Sequence, residues 1–222
     1  MSERFTDLKN RIKKQHIAIA FQKLDRQGYE SKYESKYYYV VNPRNNKLYP
    51  PKEIIRIACE IATGKRVSPS GGEQGANKFL REKGFKIVNK WSNPLTIRNL
   101  LENMNKNELS APPERKGVYI ITQMKWKNFP TKKCKPLYVG SGGNLLKRIG
   151  DTIIDALGFI GHSSGGQSIY NYCKKKNINP QNLYIAWTIN CHCHQCDELR
   201  IFEDLKPLLN KIKPAKCSQH EK

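Results

Sequence analysis

The sequence predicts an α+β fold in which a small head and a second small domain are joined by a helical linker. Its 222 residues suit one large domain or two small ones. Short β-branched and aromatic runs alternate with apolar residues at helical spacing, which indicates strands and helices in both halves. Two successive prolines interrupt these patterns within 107–116. We therefore expect a head over 1–92, a helical linker over 93–113 and a second domain over 114–222.

In the head, glycines mark the ends of three predicted helices: Gly28, Gly64 and Gly84 each follow an apolar pattern of helical period. Proline is tolerated at the first helical position, so Pro50-Pro51 opens the second of these helices. In chain order we expect helices over 6–27, 50–62 and 76–83, and strands over 37–41, 48–49 and 85–88. The first helix is expected to place its apolar residues on one face: Leu8, Ile12, Ala20, Phe21 and Leu24.

The rest of the chain predicts a helix that Asn93-Pro94 begins and that runs to about residue 105. The second domain follows, and the segment 158–166 reads as a glycine-rich loop within it. We expect strands over 117–122, 137–140 and 183–189, and helices from about 144, over 168–176 and over about 197–209.

The charge of the chain predicts a polyanionic partner. Forty Lys and Arg residues face 19 Asp and Glu residues, for a net charge of +21 that is spread along the sequence. No apolar run is long enough for a membrane span or a signal peptide, so no membrane partner is expected. Seven cysteines, an odd number, favour a reducing compartment, and we expect a cytoplasmic protein.

Four short elements of the second domain carry residues suited to phosphodiester cleavage. They are Gly117-Val118-Tyr119, Tyr138-Val139-Gly140, Arg148 ten residues after Tyr138, and Glu198 nine residues before Pro207, with Asn210 three further on. In this order and spacing, residues 115–211 resemble the GIY-YIG nuclease family. The resemblance implies a small antiparallel three-stranded sheet flanked by helices, and Mg²⁺-dependent hydrolysis of double-stranded DNA.

Physical chemistry supports a role for each of these side chains. Positive neighbours favour the phenolate, so Tyr119 is the predicted general base, and Tyr138 would position the water. Arg148 offers a planar fork for phosphate oxygens. Glu198 would hold one Mg²⁺, for which Mn²⁺ can substitute. By its family position Asn210 would bond the backbone around the site, and a plain helix cap is the alternative.

A histidine is also expected in the site. Many family members have one a few residues after the arginine, but Thr152 stands four residues after Arg148 here. The segment 161–168 resembles a glycine-rich histidine segment of other members. We therefore predict an active-site role for His162, and a surface histidine is the alternative.

The head resembles a different module. Leu48-Tyr49-Pro50-Pro51-Lys52, Ser70-Gly71-Gly72 and Gly84-Phe85-Lys86-Ile87-Val88 are similar to the N-terminal head of McrA-like restriction endonucleases, over about residues 8–90. That resemblance implies DNA binding, with sensitivity to base modification left open. A glycine loop before a helix can bind phosphate, and basic residues add countercharge; a solvated face is the alternative. The predicted DNA contacts are Lys52, Arg56, Lys65, Arg66, Ser70, Gly71, Gly72 and Asn77, and Lys147 in the second domain.

Two Cys/His pairs have the spacing of zinc ligands. They are Cys193 with Cys196, and Cys217 with His220. A structural Zn²⁺ held by these four residues would brace the helix of Glu198. Free thiols are the alternative.

Together these patterns predict a sequence-specific restriction endonuclease. A modification-dependent restriction enzyme, a repair nuclease and a mobile-element nuclease of the same family are alternatives. A non-catalytic nucleic-acid-binding protein is an alternative of another class. The expected partner is double-stranded DNA, and a homodimer on DNA and a cognate DNA methyltransferase are left open.

Overall fold

The computed structural model describes residues 4–28, 35, 37–67, 69–70, 75–105, 111–159, 161, 163–188 and 193–215. Its internal contacts divide the chain into two compact units, Met1–Lys90 and Trp91–Lys222. Each unit combines helices with a small antiparallel sheet, which confirms the predicted α+β class. Among the helices of the described ranges, none has the length and apolar character needed to cross a membrane.

The first unit begins with two helices where one was predicted. Helix α1 spans Phe5–Leu8, a 3₁₀ turn follows, and α2 spans Lys14–Gln27. At about 100° per residue, Leu8 and Ile12 would lie about 150° from the apolar face of α2 in a straight helix. The break at Ile12 lets both groups of residues become buried. The prediction of one helix with one shared face was therefore wrong.

The remaining elements of this unit form a three-stranded sheet against two helices. Strand β1 (Tyr38–Val41) lies between β2 (Leu48–Tyr49) and β3 (Ile87–Asn89), and both pairings are antiparallel. Helices α3 (Pro51–Thr63) and α4 (Ala76–Glu82) complete the unit. Helices α2, α3 and α4 and the sheet contribute side chains to one apolar core.

A partly buried carboxylate joins α2 to the turn between β1 and β2. Asp25 accepts hydrogen bonds from the Tyr49 hydroxyl at 2.5 Å and from the side-chain amides of Asn42 and Asn45, each at 2.9 Å. The Lys47 ammonium lies 3.7 Å from the same carboxylate. The helix and the hairpin are thus held together by one side chain.

The second unit contains a four-stranded antiparallel sheet in the order β4-β7-β5-β6. Its strands are β4 (Leu95–Thr96), β5 (Gly117–Thr122), β6 (Pro136–Gly142) and β7 (Tyr184–Trp187). Its helices are α5 (Ile97–Asn105), α6 (Leu145–Ala156), α7 (Ser164–Lys176) and α8 (His194–Leu205).

The short strand β4 was not predicted. It assigns residues of the predicted linker segment, 93–113, to the second unit. Leu95 pairs with Ile185 of β7, and Ile97 and Leu100 of α5 are fully buried in the core of the second unit. The residues of β4 and α5, which were expected to form part of a linker, therefore pack as part of this unit.

Strand β5 is buried on both faces. Tyr119 and Ile121 face a core that α5, α6 and α7 share, whereas Val118 and Ile120 face a smaller core that includes Ile201 of α8. All six residues of β5 are buried. The sheet is thus a middle layer between helices, and Tyr119 points to the α6 side.

Helix α7 begins four residues earlier than predicted. Ser163 caps it by accepting a hydrogen bond from the Gly166 N–H at 3.0 Å, and the Asp155 carboxylate accepts one from the Ser163 N–H at 2.5 Å. A Cβ on Gly166 would stand 2.5 Å from the Thr152 carbonyl oxygen. Glycine here lets α7 approach α6 closely, so part of the predicted loop is helical.

Candidate active site

The pairing of β5 with β6 places two tyrosines side by side. Tyr119 lies opposite Gly140 and Ile121 lies opposite Tyr138, so the two tyrosines are diagonal neighbours on one face. Their ring centroids are 6.1 Å apart, with the ring planes at 45°. The aromatic pair is thus fixed by strand register.

Two glycines leave room for these rings. A Cβ on Gly140 would lie 2.6 Å from the Tyr119 hydroxyl oxygen, and one on Gly165 would lie 2.6 Å from that of Tyr138. Side chains at either position would displace the tyrosine that they meet. The glycines therefore set the position of both hydroxyl groups.

Tyr119 is closed off from solvent, with 0% of its surface exposed. Its hydroxyl oxygen lies 2.7 Å from Oγ1 of Thr152, whose hydroxyl donates to the Arg148 carbonyl at 2.9 Å. Since a threonine hydroxyl has one proton, Tyr119 is the donor of this pair. Burial raises the pKa of Tyr119. The neighbouring Tyr138 raises this pKa further, whereas the charge of Arg148 lowers it. Tyr119 is therefore a protonated, internally bonded phenol.

Tyr138, in contrast, lines a cavity of about 460 Å³. It is 8% exposed, and its neighbours around the cavity include Ser141 and Glu198. Burial raises its pKa, while the charge of Arg148 and a hydrogen bond with that side chain lower it. Of the two phenols, Tyr138 is the one that a molecule in the cavity can reach.

Glu198 of α8 reaches the same cavity from the other side of β6. Its Oε2 accepts a hydrogen bond from the Ser141 hydroxyl at 2.6 Å. Burial raises the pKa of Glu198, and the Ser141 hydrogen bond and the charges of Arg148 and His194 oppose that rise. A carboxylate and hydroxyl oxygens around an open cavity are hard donors that suit Mg²⁺, a cation that keeps several of its waters.

Asn210 holds the strand that carries Tyr138. Its Oδ1 accepts from the Val139 N–H at 2.9 Å, and its Nδ2 donates to the Val139 carbonyl at 2.7 Å. The backbone N–H groups of Leu208 and Leu209 donate to the carbonyls of Pro136 and Leu137, so residues 208–210 run alongside β6. Asn210 thus fixes the backbone next to Tyr138.

Several predicted site residues lie outside the described ranges, namely His162, Gly71, Gly72, Cys217 and His220. Cys193 caps α8, and its sulfur accepts from the Cys196 N–H at 3.4 Å. Across the described parts of the chain, no group of three or more His, Cys, Asp or Glu side chains is arranged to hold a metal ion.

In the head, two of the predicted DNA contacts are buried, which corrects their assignment. Arg56 is 7% exposed and binds the Glu53 carboxylate through both Nε, at 2.7 Å, and Nη2. Asn77 is 2% exposed. Both side chains face the interior because α3 and α4 turn these positions toward the core. The remaining described contacts are exposed: Lys52, Lys65, Arg66, Ser70 and, in the second unit, Lys147.

Three residues near the site were not predicted: Ser141, Thr152 as a hydrogen-bond partner, and His194 as a side chain of the cavity. The spacing of His194 and Glu198, four residues apart on one helix, was a signal in the sequence. No local signal marks Ser141, because its contact with Glu198 joins residues 57 positions apart.

Comparison with known proteins bears on the first unit. Residues 10–89 match the family model described as the ScoMcrA-like, N-terminal head domain. This match supports the predicted McrA-like head and does not extend to the second unit. No curated protein and no solved structure matches the chain.

Proposed function

We propose that the chain is a divalent-metal-dependent DNA endonuclease with a DNA-binding head of the McrA-like type and a GIY-YIG catalytic domain. The observation that carries the proposal is the meeting of Tyr119, Tyr138, Arg148 and Glu198 at one place in the second unit. A hydrogen bond between Arg148 and Tyr138, and the charges of Arg148 and Glu198 acting on both phenols, support this proposal. These residues come from β5, β6, α6 and α8, so their meeting depends on the whole fold.

In this proposal the general base is Tyr138, which exchanges roles with Tyr119. A base must lie within hydrogen-bond reach of the water whose proton it takes. Tyr138 lines the cavity, whereas Tyr119 is fully buried and donates to Thr152. Burial raises the pKa of Tyr138 above its ordinary value, and the charge of Arg148 and its hydrogen bond to this phenol oppose that rise. Tyr119 donates a hydrogen bond to Thr152, which in turn donates to the Arg148 carbonyl. Tyr119 thereby positions the α6 backbone at Arg148.

Arg148 and Glu198 supply the charges that the phosphate requires. The Arg148 guanidinium can donate two parallel hydrogen bonds to phosphoryl oxygens. Glu198, oriented by Ser141, would bind Mg²⁺ or Mn²⁺. A metal bound by Glu198 would supply the positive charge that polarises a scissile phosphate and stabilises its leaving oxygen.

The head would bind the DNA that the second unit cuts. The ScoMcrA-like match supports this role, and the net charge of +21 supplies the electrostatic attraction. Lys52, Lys65 and Arg66 are the exposed basic residues proposed to contact phosphates. Sequence specificity, a homodimer on DNA, a cognate methyltransferase and the zinc site stay predictions.

The test is cleavage of plasmid DNA by the full chain with Mg²⁺. DNA grown with and without base methylation is digested in parallel, and the ends are mapped. We expect cleavage that stops in excess EDTA and in the Glu198→Gln variant, while that variant still binds DNA. Robust cutting by Glu198→Gln, or in EDTA, would contradict the proposed metal site. The parallel digests separate an ordinary restriction enzyme from a modification-dependent one.

A further inference from the structure

His194 stands on the same face of α8 as Glu198. The helix begins at His194, and side chains four residues apart on a helix are neighbours. Both side chains line the 460 Å³ cavity beside Tyr138 and Ser141. An imidazole and a carboxylate therefore face one space from a single helical turn.

The Glu198 carboxylate has room to bind a cation that it shares with His194. Ser141 binds Oε2 of Glu198, and no other described side chain makes a hydrogen bond to this carboxylate. Neutral imidazole nitrogen is among the commonest metal ligands in proteins. Because the cavity is open, water and a phosphate oxygen can fill the other positions around a cation.

We propose that His194 and Glu198 bind one divalent cation together. The inference rests on the proposed function, which assigns the metal to Glu198, and it adds the second protein ligand. A nitrogen ligand shifts the preference of the site toward Mn²⁺ and Co²⁺, since Mg²⁺ favours oxygen donors. The site would bind these ions more tightly than a single carboxylate could.

The experiment measures metal binding on the full chain without DNA. Mn²⁺ is added, and pulsed electron paramagnetic resonance detects ¹⁴N coupling from a coordinated imidazole. We expect coupling in the wild type and in His16→Gln, a control at a head histidine, and its loss in His194→Gln. Removing a ligand should weaken Co²⁺ binding at least about tenfold, and Mg²⁺ binding by less than about threefold.

A second variant separates a lost ligand from a misfolded helix. His194→Asp replaces the imidazole with a carboxylate, so it should bind Mn²⁺ better than His194→Gln while showing no ¹⁴N coupling. Failure of this rescue would overturn the role of His194 as a ligand.

The remaining outcomes distinguish this inference from the proposed function. If His194→Gln keeps the coupling while Glu198→Gln loses Mn²⁺, His194 is not a ligand but the assignment of the metal to Glu198 stands. Loss of coupling in His162→Gln alone would likewise overturn the inference. If Glu198→Gln also binds Mn²⁺ as tightly as the wild type, both assignments are wrong.

Discussion

The hydroxyl of Tyr119 lies 2.7 Å from Oγ1 of Thr152 in a buried hydrogen bond, and Tyr119 is the donor because the Thr152 proton goes to the Arg148 carbonyl. This hydrogen bond occupies the hydroxyl of Tyr119, the residue that the sequence pattern predicted as the general base. Tyr138, 6.1 Å away between ring centroids, faces the cavity in its place. The two tyrosines therefore differ in what each can reach, although they occupy similar positions on neighbouring strands.

Removing each hydroxyl separately tests this difference. Tyr138→Phe should lower the rate of single-turnover DNA cleavage by about 10²–10⁴-fold, as expected for a lost general base. Tyr119→Phe should affect cleavage less and should lower the free energy of unfolding by about 1 kcal/mol, because it removes one buried hydrogen bond. Both variants keep the aromatic ring, and DNA binding measured in Ca²⁺ serves as the control. An inactive Tyr119→Phe beside an active Tyr138→Phe would restore the original assignment.

Adding one methyl group at Gly165 should disturb the site. The new Cβ of Gly165→Ala would lie 2.6 Å from the Tyr138 hydroxyl oxygen, and overpacking of this kind costs about 1–3 kcal/mol. We expect a lower midpoint of thermal unfolding and slower cleavage. Gly150→Ala is the matched control, because nothing lies within 4 Å of its Cβ within α6. It should be neutral or slightly stabilising, and equal losses in both variants would refute the packing argument.

Arg56 and Lys52, both on α3, should behave in opposite ways. Arg56→Ala leaves the Glu53 carboxylate buried without its partner, which costs about 3–5 kcal/mol of stability. Lys52→Ala removes an exposed charge, so it should leave stability unchanged and reduce the slope of log affinity against log salt by about 1. Chemical denaturation and DNA binding at several salt concentrations check both results. If Arg56→Ala keeps its stability but loses DNA affinity, the original prediction of Arg56 as a DNA contact is right.

The head should lose stability in acid through Asp25. Burial alone would raise the pKa of Asp25, but hydrogen bonds from Tyr49 and Asn45 and the charge of Lys47 bring it below the usual 3.8. Below 3.8 the unfolded chain therefore binds more protons than the folded one, and the stabilisation present above this pH is lost as the pH falls. Hydrogen exchange of the hairpin amides, such as Asn42, should accelerate between neutral pH and pH 3 once intrinsic rates are divided out. In Asp25→Asn that extra acceleration should be absent, and an unchanged pH dependence would show that another group is responsible.

Local sequence patterns predicted most of the helices and strands. Most differences between the predicted and the observed structure come from contacts between residues that are far apart in the sequence. Strand β5 was predicted at its observed bounds because its residues are β-branched or aromatic and glycine begins it. Arg56 was misassigned because its burial depends on the packing of α3 in the core, although Glu53 three residues before it was a visible partner. The α+β class followed from periodicity, whereas the closeness of Ser141 to Glu198 required the three-dimensional fold.

The backbone of residues 208–210 has a consequence for assembly. Strand β6 is the last strand of its sheet, and such an edge is a ready template for pairing with another chain. Here the outward carbonyls of Pro136 and Leu137 and both polar groups of Val139 are already bonded to Leu208, Leu209 and Asn210. A second copy therefore cannot extend the sheet along these residues while that segment is in place. Truncation before Leu208 would expose these groups and open a route to aggregation.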